Sequence, residues 1–388
     1  VSRDHALTIW RAALAAADPE AATSEAARNV LGDIPEERVV LLGVGKACVA
    51  MARGLAPLLH DADVRGWLTP PQPASSPIPG VDVMEASHPL PDGRSVMAAE
   101  LTLSHARFCL EDDLAIALVS GGGSALWCAP PSHMSLEDLH ARHDALLASG
   151  YDISQMNAAR ARDSRIKAGR LAKAIHPARL VTFILSDVAG APPHVVASGP
   201  TLPWPDPLPG AAHPPPAPDD PCFARATHHV VADGLIAARA AATAAQELGY
   251  DVELIAEPTT DHWSDAADRL MAPLPAGHAR IMWGEVRVPL PDAPGRGGRC
   301  QHLALAALGR LGPGEAVACL STDGVDGEGA AGAIVTHGMR AGVTAREADD
   351  ALARADAQPT LARLGALLPA DPTGTNVNDL YVRLGAPR

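Results

Sequence analysis

Short apolar runs, each ending in a glycine-rich turn, punctuate this chain. Residues 39–42 (VVLL) lead into Gly43-Val44-Gly45-Lys46 and a helical pattern reaching about Leu59. Residues 115–119 lead into Ser120-Gly121-Gly122-Gly123-Ser124, and residues 180–185 into Ser186-Asp187-Val188-Ala189-Gly190. Residues 316–320 lead into Ser321-Thr322-Asp323-Gly324-Val325-Asp326-Gly327. Continuous apolar runs without polar alternation predict strands covered on both faces. The alanine-rich helical patterns between them predict an α/β protein with a parallel sheet. In such sheets ligands collect beyond the carboxyl ends of the strands, where these four turns fall.

Other segments extend the pattern. Residues 4–17 predict an amphipathic helix with Leu7, Trp10, Leu14 and Ala17 on one stripe. Residues 228–232 read as a strand, 234–248 as a helix, and 278–283 with 286–290 as a pair of strands. Residues 203–221 hold nine prolines in nineteen positions, which no regular element survives. That stretch predicts a loop or linker and a division into domains 1–222 and 223–388. A second proline-rich patch, residues 70–79, predicts a surface loop.

A length of 388 residues agrees with two domains. Hydrophobic residues make up 47 % and charged ones 20 %, enough to bury a core and unlike a disordered chain. Aromatics are 3 %, so that core must be mainly Ala, Val and Leu. The net charge of −14 argues against nucleic acid as a partner, because a phosphate-binding surface needs a basic excess. A local cluster of donors still suffices for a small phosphorylated molecule. Cys48, Cys109, Cys128, Cys222, Cys300 and Cys319 form no CxxC pair and no zinc spacing, which predicts reduced core thiols. No run is long enough to span a membrane, and the first residues lack a signal-peptide pattern. A cytoplasmic protein with a small-molecule substrate is expected, with neither nucleic acid nor membrane as partner and a homodimer allowed for.

The turns carry the candidate chemistry. In the 43–47 turn, two glycines let backbone approach a ligand and a helix start offers free N–H groups, beside Lys46. It is neither a Walker A loop nor a full dinucleotide fingerprint, since Cys48 stands at the third glycine position. Three consecutive glycines at Gly121, Gly122 and Gly123, followed by Ser124, predict either close backbone approach to a ligand or a flexible turn. Residues 157–174 read as one helix, with Arg160, Ser164 and Lys167 on one face and Asp163, Lys167 and Arg170 on an adjacent one. That row reads as a solvated face, or as a row of cations for phosphate and carboxylate. Arg299 follows another glycine turn before a helix over 301–308. Asp323 and Asp326 follow a strand, as a divalent metal or a general base would require. Residues 372–380 are dense in short hydrogen-bonding side chains, including Asn376, Asn378 and Asp379, and could form a capped turn.

Taken together, the segments GVGKA, SHPLPDG, VSGGGSAL, SRIKAGRLA, ILSDVAG, ASGPT, GRGGRCQHLALA, STDGVDG and PTGTNVNDL resemble, in this order, the glycerate 2-kinase family. That family carries a MOFRL C-terminal domain and is also labelled hydroxypyruvate reductase. The matching segments run from about residue 38 to 380. The resemblance implies a two-domain α/β fold: a larger N-terminal Rossmann-like domain with a parallel sheet, a smaller α/β MOFRL domain, and an active site in the interdomain cleft. It further implies ATP- and Mg-dependent phosphorylation of D-glycerate at its 2-hydroxyl. In this sequence, Lys46 and Arg299 would stabilise charge on the transferring phosphoryl group. Asp187 would serve as base or metal partner, and Asp323 and Asp326 would hold the metal. Gly121, Gly122, Gly123 and Ser124 would cradle phosphate or carboxylate. Lys167 and Arg170 would hold anions, and Asn376, Asn378 and Asp379 would line or brace the cleft.

The sequence also departs from the family pattern. Arg162-Asp163-Ser164 replaces a usual His-Leu-Ser, Ala191 replaces an Asp, and Cys300 and His302 replace an Asn and a carboxylate. These changes leave room for a different small hydroxylated acceptor, or for a silent nucleotide-binding relative. A nicotinamide-dependent reductase ranks below both, because the dinucleotide fingerprint is incomplete.

Overall fold

In a computed structural model of the chain, residues 2–32, 38–151 and 153–387 are described. The fold has two compact units. One comprises residues 19–186 and 191–231; the other comprises 1–18, 187–190 and 232–388.

The first unit is built on β1 (Arg38–Val44), β2 (Asp63–Thr69), β3 (Val81–Val83), β4 (Leu114–Val119), β5 (Arg179–Leu185) and β6 (Ala226–Ala232). Their order is β3-β2-β1-β4-β5-β6. The pairings of β1 with β2 and β4, of β2 with β3 and of β4 with β5 are all parallel. All six residues of β4 are buried, as expected for a strand covered on both faces. Helices supply that cover, and one core packs Val40, Leu42 and Val44 with Ala99, Leu103 and Leu171. Alanine at so many contacts lets helix and sheet approach closely, which suits a chain poor in aromatics.

The second unit contains β7 (Asp251–Leu254), β8 (His278–Gly284), β9 (Ala316–Ser321), β10 (Ala330–Thr336), β11 (Leu367–Pro369) and β12 (Asp379–Leu384). Here the order is β11-β10-β9-β12-β8-β7. The β7–β8 pair is parallel, whereas β12 runs antiparallel to both β8 and β9, and β10 to both β9 and β11. The helix Arg299–Leu308 packs its Leu303, Ala304 and Leu308 into the core of this unit.

Several expectations change in three dimensions. Residues 286–290 form no strand and make only an isolated bridge, Arg287 with His262. Gly284 at φ +135° ends β8, and prolines at 289 and 291 stop any later ladder. The N-terminal helix spans Ser2–Ala16; of the predicted stripe Trp10 and Ala17 are buried, and the rest of the buried face is Ala6, Ile9 and Ala13 in place of Leu7 and Leu14. Leu7 and Leu14 are half-buried. The proline-rich residues 203–221 form an irregular loop inside the first unit, and the chain passes between units at 231/232. The predicted helix over 157–174 is two helices, Ile153–Arg162 and Arg170–Ile175. Between them, Ala168 and Gly169 take left-handed φ values of 55° and 76°. Their amides donate to Ser198 and Gly199 carbonyls at 3.0 and 2.8 Å, bonds that a continuous helix could not make. Arg160, Ser164 and Lys167 therefore share no helical face. All six cysteines are free and buried, as expected.

Candidate functional site

In the first unit, two glycine turns meet at the carboxyl ends of the neighbouring strands β1 and β4. Lys46 N–H donates to the Gly121 carbonyl at 2.9 Å, and Ala47 N–H donates to Ser120 Oγ at 3.1 Å. Gly45 has φ +112°, and a Cβ there would lie 2.2 Å from Ser120 Oγ, so only glycine fits. Gly122 has φ +81°. The amides of Gly121 and Gly122 have no acceptor among the described residues. Lys46 is exposed, and its ammonium has neither a hydrogen-bond acceptor nor a carboxylate partner among the described residues. This turn therefore combines free backbone donors with an unneutralised cation, the two requirements of an anion cradle.

Two neighbours escaped sequence reasoning. A Cβ on Gly122 would meet the His88 ring at 3.0 Å and Lys46 Cγ at 3.6 Å, so imidazole and lysine flank the same turn. Burial and the Lys46 charge push the His88 pKa down, which keeps it neutral. The SHPLPDG segment that carries His88 was the available signal. Ser198, at φ 59°, sits 2.9 Å from Ser124, hydroxyl to hydroxyl, and lies in the ASGPT segment.

Lys167 and Arg170 lie beneath this turn and face the backbone. Lys167 Nζ donates to the carbonyls of Ser124 at 2.6 Å and Trp127 at 3.2 Å. Burial pulls its pKa down to about 8. Arg170 donates to the carbonyls of Ala161 at 2.8 Å, Lys167 at 2.9 Å and, through Nε, His213 at 2.8 Å. These two cations fasten the turn to the proline-rich loop and to the helix Ile153–Arg162. Asp163 pairs with Arg142 and Arg162, both at 3.0 Å.

A second polar cluster lies in the other unit, where β8, β9 and β12 come together. Arg299 Nε donates to Asp379 Oδ2 at 3.2 Å, and its terminal nitrogens lie 3.3 Å from both oxygens of Glu285. Tyr381 Oη donates to the same Asp379 oxygen at 3.2 Å. Burial lifts the Asp379 pKa to about 7, with Arg299 opposing that rise. Burial also works against the Arg299 charge, but Asp379 and Glu285 outweigh it and hold the guanidinium pKa above its ordinary value.

Asp326 is a helix cap. Its two oxygens accept from the Cys300 amide at 3.0 Å and the Gln301 amide at 2.8 Å, at the start of Arg299–Leu308. Gly298 must be glycine, because a Cβ there would lie 2.1 Å from Asp326 Oδ1. Asp323 instead organises its own turn, accepting from Ser321 Oγ at 2.8 Å and Val325 N–H at 2.9 Å through Oδ1. Among the described residues no group of three His, Cys, Asp or Glu side chains is placed to hold a metal. Asp323 and Asp326 thus do not form a protein-built metal cage.

The last loop binds this cluster together. Thr322 Oγ1 donates to the Asn378 carbonyl at 2.6 Å, and Asn376 Oδ1 accepts the Asn378 amide at 3.2 Å. Asn378, at φ 75° and almost fully buried, donates through Nδ2 to the Asp187 carbonyl at 2.8 Å. Three segments distant in sequence, holding Asp187, Thr322 and Asn378, therefore converge.

Comparison with known proteins agrees with this architecture. Residues 5–212 match the domain of unknown function DUF4147, and residues 278–379 match the MOFRL family. A putative hydroxypyruvate reductase of Agrobacterium vitis is 36 % identical, over 96 % of this chain and 92 % of its own. A D-glycerate 2-kinase of Thermotoga maritima is 31 % identical, over 98 % and 97 %. The crystal structure of glycerate kinase from Thermotoga maritima superposes with a TM-score of 0.87 at 29 % identity, covering 98 % of each chain. With both family matches and near-complete coverage, the chain belongs to the glycerate 2-kinase family, whose MOFRL region here supplies strands β8 to β11 of the mixed sheet.

Proposed function

We propose that the protein is an ATP-dependent kinase that phosphorylates the 2-hydroxyl of D-glycerate to give 2-phosphoglycerate. The observation that carries this reading is the exposed, partnerless Lys46 beside the open amides of Gly121 and Gly122. Phosphoryl transfer needs little covalent chemistry from a protein; it needs positioned donors and charge where the transferring group builds negative charge. Lys46 and the glycine turn supply that in the first unit. Arg299 supplies a second cation, fixed in orientation by Asp379 and Glu285.

In the reaction the substrate oxygen bonds to the γ-phosphorus, ADP leaves, and the hydroxyl proton passes to a base. Asp187 is the proposed base, its backbone anchored by Asn378. Ser124 and Ser198 are proposed to hold the glycerate carboxylate. Lys167 and Arg170 act by bracing the cradle. Magnesium belongs to this reading as a companion of the nucleotide phosphates, which require only one or two protein carboxylates. Asp323, with its Oδ2 turned to no partner among the described residues, suits that role, whereas Asp326 is taken up as a cap.

The test is direct. Incubation with ATP, magnesium and D-glycerate is expected to yield ADP and 2-phosphoglycerate, identified by phosphorus NMR. Lys46→Ala is expected to lower kcat by about 10²–10³, the range seen on removing one charge-stabilising donor. Turnover only of other hydroxy acids would replace glycerate as acceptor. NADH oxidation with hydroxypyruvate, without ATP use, would overturn the kinase reading.

A further inference from the structure

The reaction derived above leaves His88 without a part, although the chain is built to hold it over the glycine turn. Past β3, Met84 N–H donates to the Leu68 carbonyl at 3.0 Å and Ala86 N–H to the Pro70 carbonyl at 3.1 Å. These bonds carry the segment beyond the carboxyl end of β2, and Ala86 is buried. On the other side of His88, Asp92 caps the helix Gly93–Arg107, accepting the amides of Arg94 at 3.0 Å and Ser95 at 3.1 Å. The imidazole thus sits on a short span between two anchors.

Its edge faces the turn. A Cβ on Gly122 would lie 3.0 Å from Cδ2 and 3.2 Å from Nε2 of His88, and 3.6 Å from Lys46 Cγ. Imidazole and lysine stem therefore stand around one glycine, next to the open amides of Gly121 and Gly122. His88 is exposed, so a ligand on the turn can reach it. Its ring has no hydrogen-bond partner among the described residues.

The surroundings decide what the ring can do. Partial burial and the Lys46 charge hold its pKa below the ordinary value. At neutral pH it is therefore uncharged and offers one N–H and one lone pair. A histidine acting as general base is usually oriented by a carboxylate on its far nitrogen. Among the described residues none holds His88: Glu85 pairs with Arg94, and Asp92 is the helix cap. An N–H directed at an anion needs no such partner, and a neutral donor does not repel Lys46.

We propose that His88 is a catalytic residue of the cradle, donating Nε2–H to an oxygen of the transferring phosphoryl group alongside Lys46 and the amides of Gly121 and Gly122. The identity of that group rests on the kinase reading; the donor role of His88 toward a phosphate anion can be tested apart from it.

Two replacements in the intact chain make the test. His88→Gln keeps an N–H donor near the place of Nε2 but has no basic nitrogen, whereas His88→Ala removes both. The residue is exposed, so both variants are expected to fold, as checked by circular dichroism. With ATP, magnesium and D-glycerate, His88→Ala should lower kcat about ten- to hundredfold, the loss of one hydrogen bond to a charged group. His88→Gln should stay within about threefold of the parent, because that bond is kept. An unchanged kcat in His88→Ala overturns the proposal, and so does an equal loss in both variants, which would make the ring a base. Inorganic pyrophosphate is a probe that does not depend on the acceptor. Titration calorimetry should give a Kd about tenfold weaker in His88→Ala, with His88→Gln close to the parent. If no hydroxy acid is phosphorylated but pyrophosphate binding falls in this way, the kinase reading fails and the donor role stands. Pyrophosphate that binds parent and His88→Ala alike, or neither, sinks the donor role.

Discussion

Lys46 and Lys167 show how two lysines of similar sequence context reach opposite fates. Lys46 follows a glycine at the end of a strand and projects into solvent, whereas Lys167 is fully enclosed and holds two carbonyls. The family resemblance assigned both to anions, and a motif cannot tell which way a side chain turns after a break in a helix. Lys167→Met is expected to destabilise the protein by about 1–3 kcal/mol, the cost of leaving buried acceptors unpaired, as read from urea unfolding. A stability equal to that of the parent would remove the bracing role. Asp379 yields a pH prediction. Its pKa is raised to about 7, so its protonated form is favoured by the fold. The stability that this proton brings is complete below the ordinary carboxylate range and is lost as the pH rises through about 7. Asp379→Asn should therefore flatten the stability curve between about pH 4 and 7. An equal slope in variant and parent would contradict the burial assigned to this carboxylate.

The strands that were continuous apolar runs emerged close to their predicted places: β1, β4, β5 and β9 each end in the expected glycine turn. Burial on both faces leaves one reading for such runs. Segments that depend on partners were less legible. Residues 286–290 have the composition of a strand, yet flanking prolines and Gly284 deny them a ladder. The helix Arg299–Leu308 begins two residues earlier than its apolar pattern, because Asp326, distant in sequence, accepts its first amides. Asp326→Ala is accordingly expected to cost about 1–2 kcal/mol, the upper range for a lost helix cap, and to lower kcat by freeing Arg299. Thermal melts and turnover measured together test it. A variant as stable as the parent would remove the cap role, and full activity would exclude Asp326 from the metal-ligand role as well.

The parallel sheet and the mixed sheet each close their own core, and the chain visits the second unit three times. The first visit is the N-terminal helix, which lies against the helix Gly234–Glu247 and the strands β9, β10 and β12. Arg3 donates to the carbonyl of Leu367, and Thr375 Oγ1 donates to the Ala17 carbonyl at 2.7 Å. Deleting residues 1–18 is thus expected to destabilise the C-terminal unit, despite its distance along the chain. Calorimetry of the truncated chain should show a transition lowered by about 4 °C or more, a shift that corresponds to roughly 1–2 kcal/mol in a domain of this size. An unshifted transition would mean that this helix adds nothing to the unit.

Turn chemistry and apolar periodicity were enough to set the α/β class and the glycine turns, because both are local properties of the chain, whereas the family came from the resemblance of nine motif segments in their order. The proline-rich residues 203–221 were rightly a loop, but sequence placed the domain boundary there and the contacts place it elsewhere. Which cations stay exposed, which carboxylates become caps, and which histidine nitrogens end buried without a partner among the described residues were decided by tertiary structure. Each depends on what packs against the side chain, and the residues that do so lie tens to hundreds of positions away, as Asp187 and Asn378 do.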